Sequence, residues 1–229
     1  MKRTTPESGF TLVEMAIALV IIALLIGGML APLSAQKEQE RRTQNDRLLD
    51  DAREALIGFA VVNGRLPCPD TDAPNSPTSG QENACATNSA QSYTGRLPWA
   101  TLGIDAESDP WGDNHFLRYT VNGAFTGAFA LASTGTGTGI LEVHSDAGSC
   151  STANNLVASN VPAVIWSGAK TDYSTAPVSS ADEAENIDND ACFVFRNYNT
   201  RNGSEFDDQL VWLSPGILFN RMITAGRLP

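Results

Sequence analysis

The sequence predicts an α+β protein, in which a long N-terminal helix, transmembrane in its first half and amphipathic in its second, packs on an antiparallel β-sheet head domain. Three observations lead to this prediction. Residues 15–36 contain no charged side chain, residues 37–63 carry charges around an apolar stripe, and residues 64–229 break into short β-branched runs separated by turn residues. We therefore expect four segments, with bounds 1–9, 10–36, 37–63 and 64–229.

The uncharged run is long enough to cross a bilayer. As a helix, residues 15–36 would extend roughly 33 Å at about 1.5 Å per residue. Lys2 and Arg3 precede the run, so the positive-inside rule predicts a cytoplasmic N-terminus and a periplasmic head, on a single-pass anchor in a bacterial inner membrane. A secretory signal peptide is the alternative, but its apolar region is about 7–15 residues long and ends at a small-residue cleavage site.

Residues 37–63 are predicted to continue the same helix. They contain neither proline nor cysteine, and Gly64 follows as a C-terminal stop. Because the apolar side chains recur at spacings of one, three and four, this half of the helix can pack on a head domain. The stripe comprises Leu48, Leu49, Ala52, Leu56 and Phe59.

The head domain is predicted to be mostly β-structure. Residues 67–95 are rich in Pro, Asn, Ser, Thr and Gly and indicate a long loop. A short helix is expected near the C-terminus, with Ser214 as its cap, Gly226 as its stop, and Leu218, Met222 and Ile223 facing the core. The candidate strands are residues 116–121, 128–133, 140–144, 161–166, 192–196 and 209–213.

Charge and cysteine content exclude some functions. The chain has 229 residues and a formal net charge of -11, which argues against nucleic acid as a partner because phosphate binding needs clustered Lys and Arg. Four cysteines without metal-ligand spacing favour disulfides and an oxidising compartment. Of the three possible pairings we favour Cys68 with Cys85 and Cys150 with Cys192, since shorter loops cost less entropy to close.

A short motif lies at the start of the apolar run. Gly9-Phe10-Thr11-Leu12-Val13-Glu14 follows a basic leader and places a carboxylate at the edge of the run, where a charge without a partner is costly. This arrangement resembles the prepilin cleavage and methylation motif of type IV pilins and type II secretion pseudopilins. The resemblance covers about the first 60 residues, and the fold of that family, a long N-terminal helix on an antiparallel sheet, is similar to the one predicted here.

The resemblance implies processing and assembly. It implies that a prepilin peptidase cuts between Gly9 and Phe10 and methylates the new amine of Phe10. It also implies that Glu14 pairs with the N-terminal amine of a neighbouring subunit, so that docking stabilises a carboxylate that would be costly alone. The implied partners are the peptidase, other pilin or pseudopilin subunits, and an inner-membrane assembly platform. The protein would then be found in the membrane and in a pilus or pseudopilus.

Residues 109–112 have two interpretations, a calcium site and a simple turn. Asp109-Pro110-Trp111-Gly112 resembles a turn of the major type II pseudopilins, whose head carries calcium nearby, and this makes Asp109 and Asp113 candidate ligands. A Pro-Gly turn with Trp111 packed inward is the favoured interpretation, and no cofactor is expected otherwise. The acidic run at residues 182–190 is similarly interpreted as a solvated loop rather than a second calcium loop.

No catalytic set is recognised, and the protein is not expected to be an enzyme. Ser167 and Lys170 match the SxxK motif of serine hydrolases, but they follow an apolar strand and no further motif of that chemistry accompanies them. The expected function is a pilin-like structural subunit, a minor one because the head is large, either of a type IV pilus or of a type II secretion pseudopilus. The alternatives are a membrane-anchored periplasmic binding module for calcium, a glycan or a secreted substrate, and, far behind, a tethered hydrolase.

Overall fold

A computed structural model describes residues 9–112, 115–133, 140–150, 152, 154–171, 178, 180–201 and 203–228, without the side chains of residues 26–32. The chain divides into two compact units, one that ends at Arg41 and one that begins at Arg42. The second unit contains the end of the long helix together with the whole head domain, and the two units are described separately below.

The long helix α1 spans Leu12–Asn63, and it confirms the predicted N-terminal helix. It ends at Gly64, whose φ of 71° is left-handed and whose N–H donates to the Ala60 carbonyl at 2.8 Å. Glycine adopts this conformation without steric cost, which is why the helix stops there. Within the described part of the chain, no helix is both long and apolar enough to cross a membrane, so the transmembrane character of residues 10–36 stays a prediction.

In the part of the chain that the structure describes, seven strands and three shorter α-helices follow. The strands are β1 (Ser92–Arg96), β2 (Arg118–Asn122), β3 (Leu141–His144), β4 (Leu156–Val161), β5 (Ala163–Ser167), β6 (Cys192–Val194) and β7 (Gln209–Trp212). The helices are α2 (Trp99–Leu102), α3 (Ala181–Ile187) and α4 (Pro215–Thr224). Among the described residues, these strands form two sheets rather than one.

The larger sheet is antiparallel, as predicted, whereas the smaller one is mixed. The larger sheet has the strand order β1-β2-β5-β7. The smaller sheet has the order β4-β3-β6, with β3 and β4 antiparallel but β3 and β6 parallel. Parallel pairing requires a long crossover, and here β4, β5 and α3 all lie between β3 and β6 in the chain.

The four-stranded sheet is buried on both faces within the second unit. One face, which includes Tyr119 and Ile165, shares a core with Leu49 and Leu56 of α1. The other face shares a second core with the three-stranded sheet, in which Trp166 is 1% exposed. The unit therefore has three layers, with the helix, the four-stranded sheet and the three-stranded sheet in that order.

Several predicted strands were misplaced. Residues 128–133 form no strand, and the run 161–166 is divided at Pro162 into the end of β4 and the start of β5. Proline cannot donate to a ladder, so a strand turns there rather than continuing. Strand β1 lies at the end of the segment predicted to be a loop, and most of β4 was not predicted.

Both disulfides have the pairing that loop length favours. Cys68 is bonded to Cys85 and Cys150 to Cys192, each with Cα atoms 5.9 Å apart. The first disulfide closes the loop before β1, which is a defined structure rather than an open coil. Inside this loop the Asp70 carboxylate pairs with the Arg96 guanidinium at 2.8 Å, and both side chains are buried.

The C-terminal helix α4 was predicted correctly in position but not in every contact. Leu218 and Met222 are buried, as expected for residues four positions apart on one face. Ile223 is 44% exposed, so its predicted core position is wrong, because it lies about 100° around the helix from Met222. The Ser214 side chain makes no capping hydrogen bond among those that the structure describes.

Candidate functional site

The predicted cleavage site lies in an exposed segment directly before α1. Phe10 is 84% exposed, and Gly9 has no heavy atom beyond its chain neighbours within 4 Å of where a side chain would begin. Neither residue is helical, since α1 begins at Leu12. Proteolysis favours exposed, irregular segments, so the bond between Gly9 and Phe10 is sterically accessible. The rest of the predicted leader, residues 1–8, lies outside the described residues.

Glu14 closes the first turn of α1 together with Thr11. Its Oε2 atom accepts hydrogen bonds from the Thr11 backbone N–H and from the Thr11 hydroxyl, each at 2.8 Å. In return, the Glu14 backbone N–H donates to the Thr11 hydroxyl at 3.3 Å. This reciprocal arrangement is a capping box, which pairs N–H groups that a helix otherwise leaves open at its N-terminus.

Thr11 is a functional residue that sequence reasoning missed. That reasoning treated Glu14 as costly until a neighbouring subunit supplies an amine, whereas Thr11 supplies partners within the same chain. The signal was present in the sequence, because a threonine followed three residues later by a glutamate, just before an apolar run, is a capping-box pattern. Glu14 therefore has a local role in starting α1, beside its predicted role in assembly.

Apolar side chains are exposed on all sides of α1 after this cap. At least half of each of the following is exposed: Leu12, Val13, Met15, Ile17, Leu19, Val20, Ile21, Ile22, Leu24 and Leu25. Because successive residues are about 100° apart on a helix, the four consecutive residues 19–22 alone cover its full circumference. An apolar stripe on one face would indicate packing on a core, whereas an apolar surface all round indicates apolar surroundings.

Asp109 is buried, and its carboxylate is bonded within the protein. Oδ1 accepts from the Trp111 backbone N–H at 2.9 Å, and Oδ2 accepts from the Ser167 hydroxyl at 2.6 Å. Burial raises the pKa of the Asp109 carboxyl to about 6, against the opposing effect of these two hydrogen bonds. The second candidate calcium ligand, Asp113, lies outside the described residues, so the calcium site stays a prediction.

Ser167, the serine of the SxxK match, is fully buried at the end of β5. Its hydroxyl donates to Asp109 and accepts from the Ala169 backbone N–H at 3.0 Å. Lys170, by contrast, is exposed. The Ser167 hydroxyl therefore connects β5 to the turn that begins at Asp109, and a substrate cannot reach it without displacing the surrounding core.

The acidic run at residues 182–190 was interpreted wrongly as a solvated loop, since it contains helix α3. Glu183 is 2% exposed and Asn186 is 3% exposed. The Asn186 amide nitrogen donates to the Val194 carbonyl at 3.2 Å, and the Val194 N–H donates to the Asn186 amide oxygen at 2.7 Å. Because polar side chains attach α3 to β6, the sequence shows no apolar stripe by which the helix could have been recognised.

Three carboxylates meet between α3 and the residues before β7. Oxygen atoms of Glu183, Asp207 and Asp208 lie within 4.8 Å of one another. Glu183 accepts from the Asp207 backbone N–H at 2.9 Å, and Asp208 accepts from the Asn186 amide at 2.6 Å. Burial, together with the charges of Asp207 and Glu205, raises the pKa of Glu183 to about 7. Retaining a proton on Glu183 near neutral pH limits the repulsion within this cluster.

Comparison with known proteins identifies the N-terminal motif. Residues 5–30 match the family described as the prokaryotic N-terminal methylation motif, which is the signature of type IV pilin-like and pseudopilin-like proteins. No curated protein and no solved structure matches the chain significantly. The match includes Gly9, Phe10, Thr11 and Glu14, the residues that form the exposed bond and the capped helix start.

Proposed function

We propose that this type IV pilin-like or pseudopilin-like protein is a minor subunit of a type IV pilus or of a type II secretion pseudopilus. A prepilin peptidase cuts it after Gly9 and methylates Phe10, and the mature chain then enters a filament through residues 10–36. The observation that supports this most is at residues 9–14, where the matched motif coincides with an exposed peptide bond and a glutamate at the helix start.

Before assembly, residues 10–36 anchor the chain in the inner membrane, with the head in the periplasm. Residues 15–36 carry no charge, Lys2 and Arg3 precede them, and the apolar side chains that follow the cap are exposed on all sides. Two disulfides agree with the oxidising periplasm. Assembly exchanges lipid for other apolar helices at nearly no transfer free energy, so specificity depends on shape and on charge.

The charge interaction between subunits is formed by Glu14, whose carboxylate binds the Phe10 amine of a neighbouring subunit. Both hydrogen bonds from Thr11 end on Oε2, and none of the described residues donates to Oε1. Glu14 can therefore keep its capping box through one oxygen while the other accepts the incoming amine. A carboxylate in apolar surroundings is stable only when it is paired, so this contact favours one register of neighbouring helices.

The size of the head supports a minor rather than a major position. The segment after α1 is about 165 residues long and forms a four-stranded and a three-stranded sheet. The single compact sheet of a major pseudopilin is smaller. By analogy between folds, a large head suits a subunit at the tip or at the start of a filament, where fewer neighbours restrict its volume.

Two variants separate the charge of Glu14 from its capping role. Glu14→Gln keeps an amide oxygen for the capping box but cannot neutralise an amine, so we expect normal cleavage and at least a tenfold loss from sheared filaments. Thr11→Val loses the cap, at about 1 kcal/mol of local helix stability, but keeps the charge, so it should still assemble. Intact-mass and N-terminal peptide analysis of membrane and sheared fractions measures cleavage, methylation and incorporation together.

Each alternative outcome has a defined meaning. If Glu14→Gln enters filaments as well as the parent chain does, the charge pairing is wrong. If every fraction contains an uncut chain that starts at Met1, the proposed processing is wrong. If mature chain that begins at methylated Phe10 is confined to membranes, the protein serves a pseudopilus or initiates filaments rather than forming the body of a pilus.

A further inference from the structure

A groove of about 580 Å³ follows the outer edge of β7. One of its walls consists of Asp46, Asp50 and Arg53, which follow one face of α1 inside the second compact unit. The groove is also lined by Phe195 and Trp212 and, on α4, by Ile217. We refer to this space as the β7 groove. None of the contacts described above for the N-terminal motif involves it.

The floor of the β7 groove is an open strand edge. Strand β7 is the last strand of its sheet, and among the described strands it pairs only with β5. The Leu213 N–H donates to the directly opposed Ala163 carbonyl at 2.9 Å. Because backbone groups alternate in direction along an antiparallel strand, those of Leu210 and Trp212 point away from β5. A row of unpaired donors and acceptors is a template for one more strand.

Apolar side chains that line the β7 groove can pack against those of an added strand. Phe195 is 42% exposed and Ile217 is 52% exposed, although both are large and apolar. The Phe195 ring meets the Trp212 ring nearly edge-on, with centroids 5.3 Å apart, which holds this aromatic surface in place. Soluble proteins usually protect such an edge with charges or proline, and here charged side chains of α1 share the groove with these exposed apolar ones.

The charged wall indicates what kind of strand binds. It carries two carboxylates and one guanidinium, and Arg53 is already paired with Asp50 at 3.1 Å. Asp46 accepts a hydrogen bond from the Gln209 amide, which carries no charge. A basic side chain on the guest would complement this wall. A second copy of the chain is disfavoured at long range, because each copy has a net charge of -11.

We propose that the β7 groove binds an extended segment of a second protein by strand addition. The segment pairs with the outer backbone of Leu210 and Trp212, packs apolar side chains on Phe195 and Ile217, and places a lysine or arginine near Asp46. This interaction is independent of the N-terminal motif, so it can hold whether or not the chain assembles through Glu14.

Hydrogen exchange on the full-length chain in detergent micelles tests the proposal with two synthetic peptides. One peptide is acetyl-Val-Lys-Val-Thr-Val-Lys-Val-amide, and the other has glutamate in place of both lysines. We expect the lysine peptide to slow exchange of the Leu210 and Trp212 amides at least tenfold, and the glutamate peptide to have little effect. The Val211 amide should not respond, since it faces β5.

Three variants sharpen the test. Ile217→Asp should abolish the protection, whereas Ile223→Asp, a similarly exposed position on α4 outside the groove, should leave it intact. Asp50→Lys should reverse the preference between the two peptides. The proposal is wrong if neither peptide slows the two amides, or if Ile217→Asp and Ile223→Asp behave alike. It is also wrong if both amides become protected without peptide as the protein concentration rises, because the occupant is then a second copy.

Discussion

The two parts of α1 bury their apolar residues in opposite ways. Between Leu12 and Leu25 every large apolar side chain is at least half exposed, whereas Leu49 and Leu56 are at most 1% exposed. Both parts belong to one helix and use the same kinds of apolar residue. They differ in what surrounds those residues in the sequence, because the second part places charged residues on its outer face.

This contrast separates two sources of stability. The second part of α1 contributes to the core of the head domain, so its free energy of folding comes from packing within the chain. In the first part, the large apolar side chains between Leu12 and Leu25 are at least half exposed, so packing among the described residues contributes little to its stability. Substitutions in one part should therefore leave the other part nearly unchanged, and the predictions below test this separation.

The largest effect is expected from a truncation in the second part. Leu56→Ala removes a fully buried side chain and should lower the free energy of unfolding of the head by about 3–5 kcal/mol. Leu19→Ala, the matched change at a side chain that is 62% exposed, should lower it by less than about 0.5 kcal/mol. Denaturant unfolding of the full chain in detergent, followed by tryptophan fluorescence, measures both. Similar losses of unfolding free energy in the two variants would contradict the separate stability of the two parts of α1.

The next largest effect concerns the two disulfides of the head. Replacing Cys150 and Cys192 by alanine releases a loop with a sequence separation of 42, and we expect a loss of about 4 kcal/mol. Replacing Cys68 and Cys85 releases a separation of 17, for a loss of about 3 kcal/mol. Thermal unfolding of both double variants checks the order. The reverse order would mean that the loop before β1 depends on its disulfide for more than chain entropy.

A smaller effect is expected from pH. Burial raises the pKa of Glu183 in the folded state from 4.5 to about 7, so the folded protein holds this proton more tightly than the unfolded chain does. The contribution of Glu183 to stability is therefore largest below about pH 4.5, falls as the pH rises toward 7, and then levels off. We expect Glu183→Gln to reduce this pH-dependent loss of unfolding free energy by about 1–2 kcal/mol, a value that allows for partial hydration of the Glu183 carboxyl.

Urea midpoints of the parent chain and of Glu183→Gln between pH 4.5 and 8 measure that difference. Asp109, whose pKa burial raises to about 6, should contribute a second fall in the same direction, which Asp109→Asn removes separately. The prediction is wrong if the urea midpoints of the parent chain and of Glu183→Gln change with pH in the same way. The Glu183 carboxyl would then titrate in the folded protein as it does in the unfolded chain.

Local signals predicted the parts of the fold that local interactions specify. The helix end at Gly64 follows from the freedom of glycine to adopt a left-handed backbone, and the position of α4 follows from Pro215 and an apolar spacing of four. The pairing of Cys68 with Cys85 agrees with loop length. The capping box at Thr11 also depends on local interactions, so the sequence could have predicted it, although it was not recognised there.

Elements held by distant polar contacts could not be predicted in this way. Helix α3 has a buried face made of Glu183 and Asn186, whose partners lie in β6 and before β7. Strand β1 contains Gly95, a weak strand former, and pairs with β2 across more than twenty intervening residues. The hydrogen bond between Ser167 and Asp109 likewise joins residues 58 positions apart.

The sequence by itself determined the long helix, its apolar and amphipathic halves, the cleavage and methylation motif and the α+β class, because each follows from residue type and short-range spacing. Only the tertiary structure decided that the strands divide into two sheets, that β3 and β6 run parallel, and that β7 keeps an unpaired edge along a groove. Strand pairing depends on contacts between distant segments, and alternation along one strand does not specify which neighbour it meets.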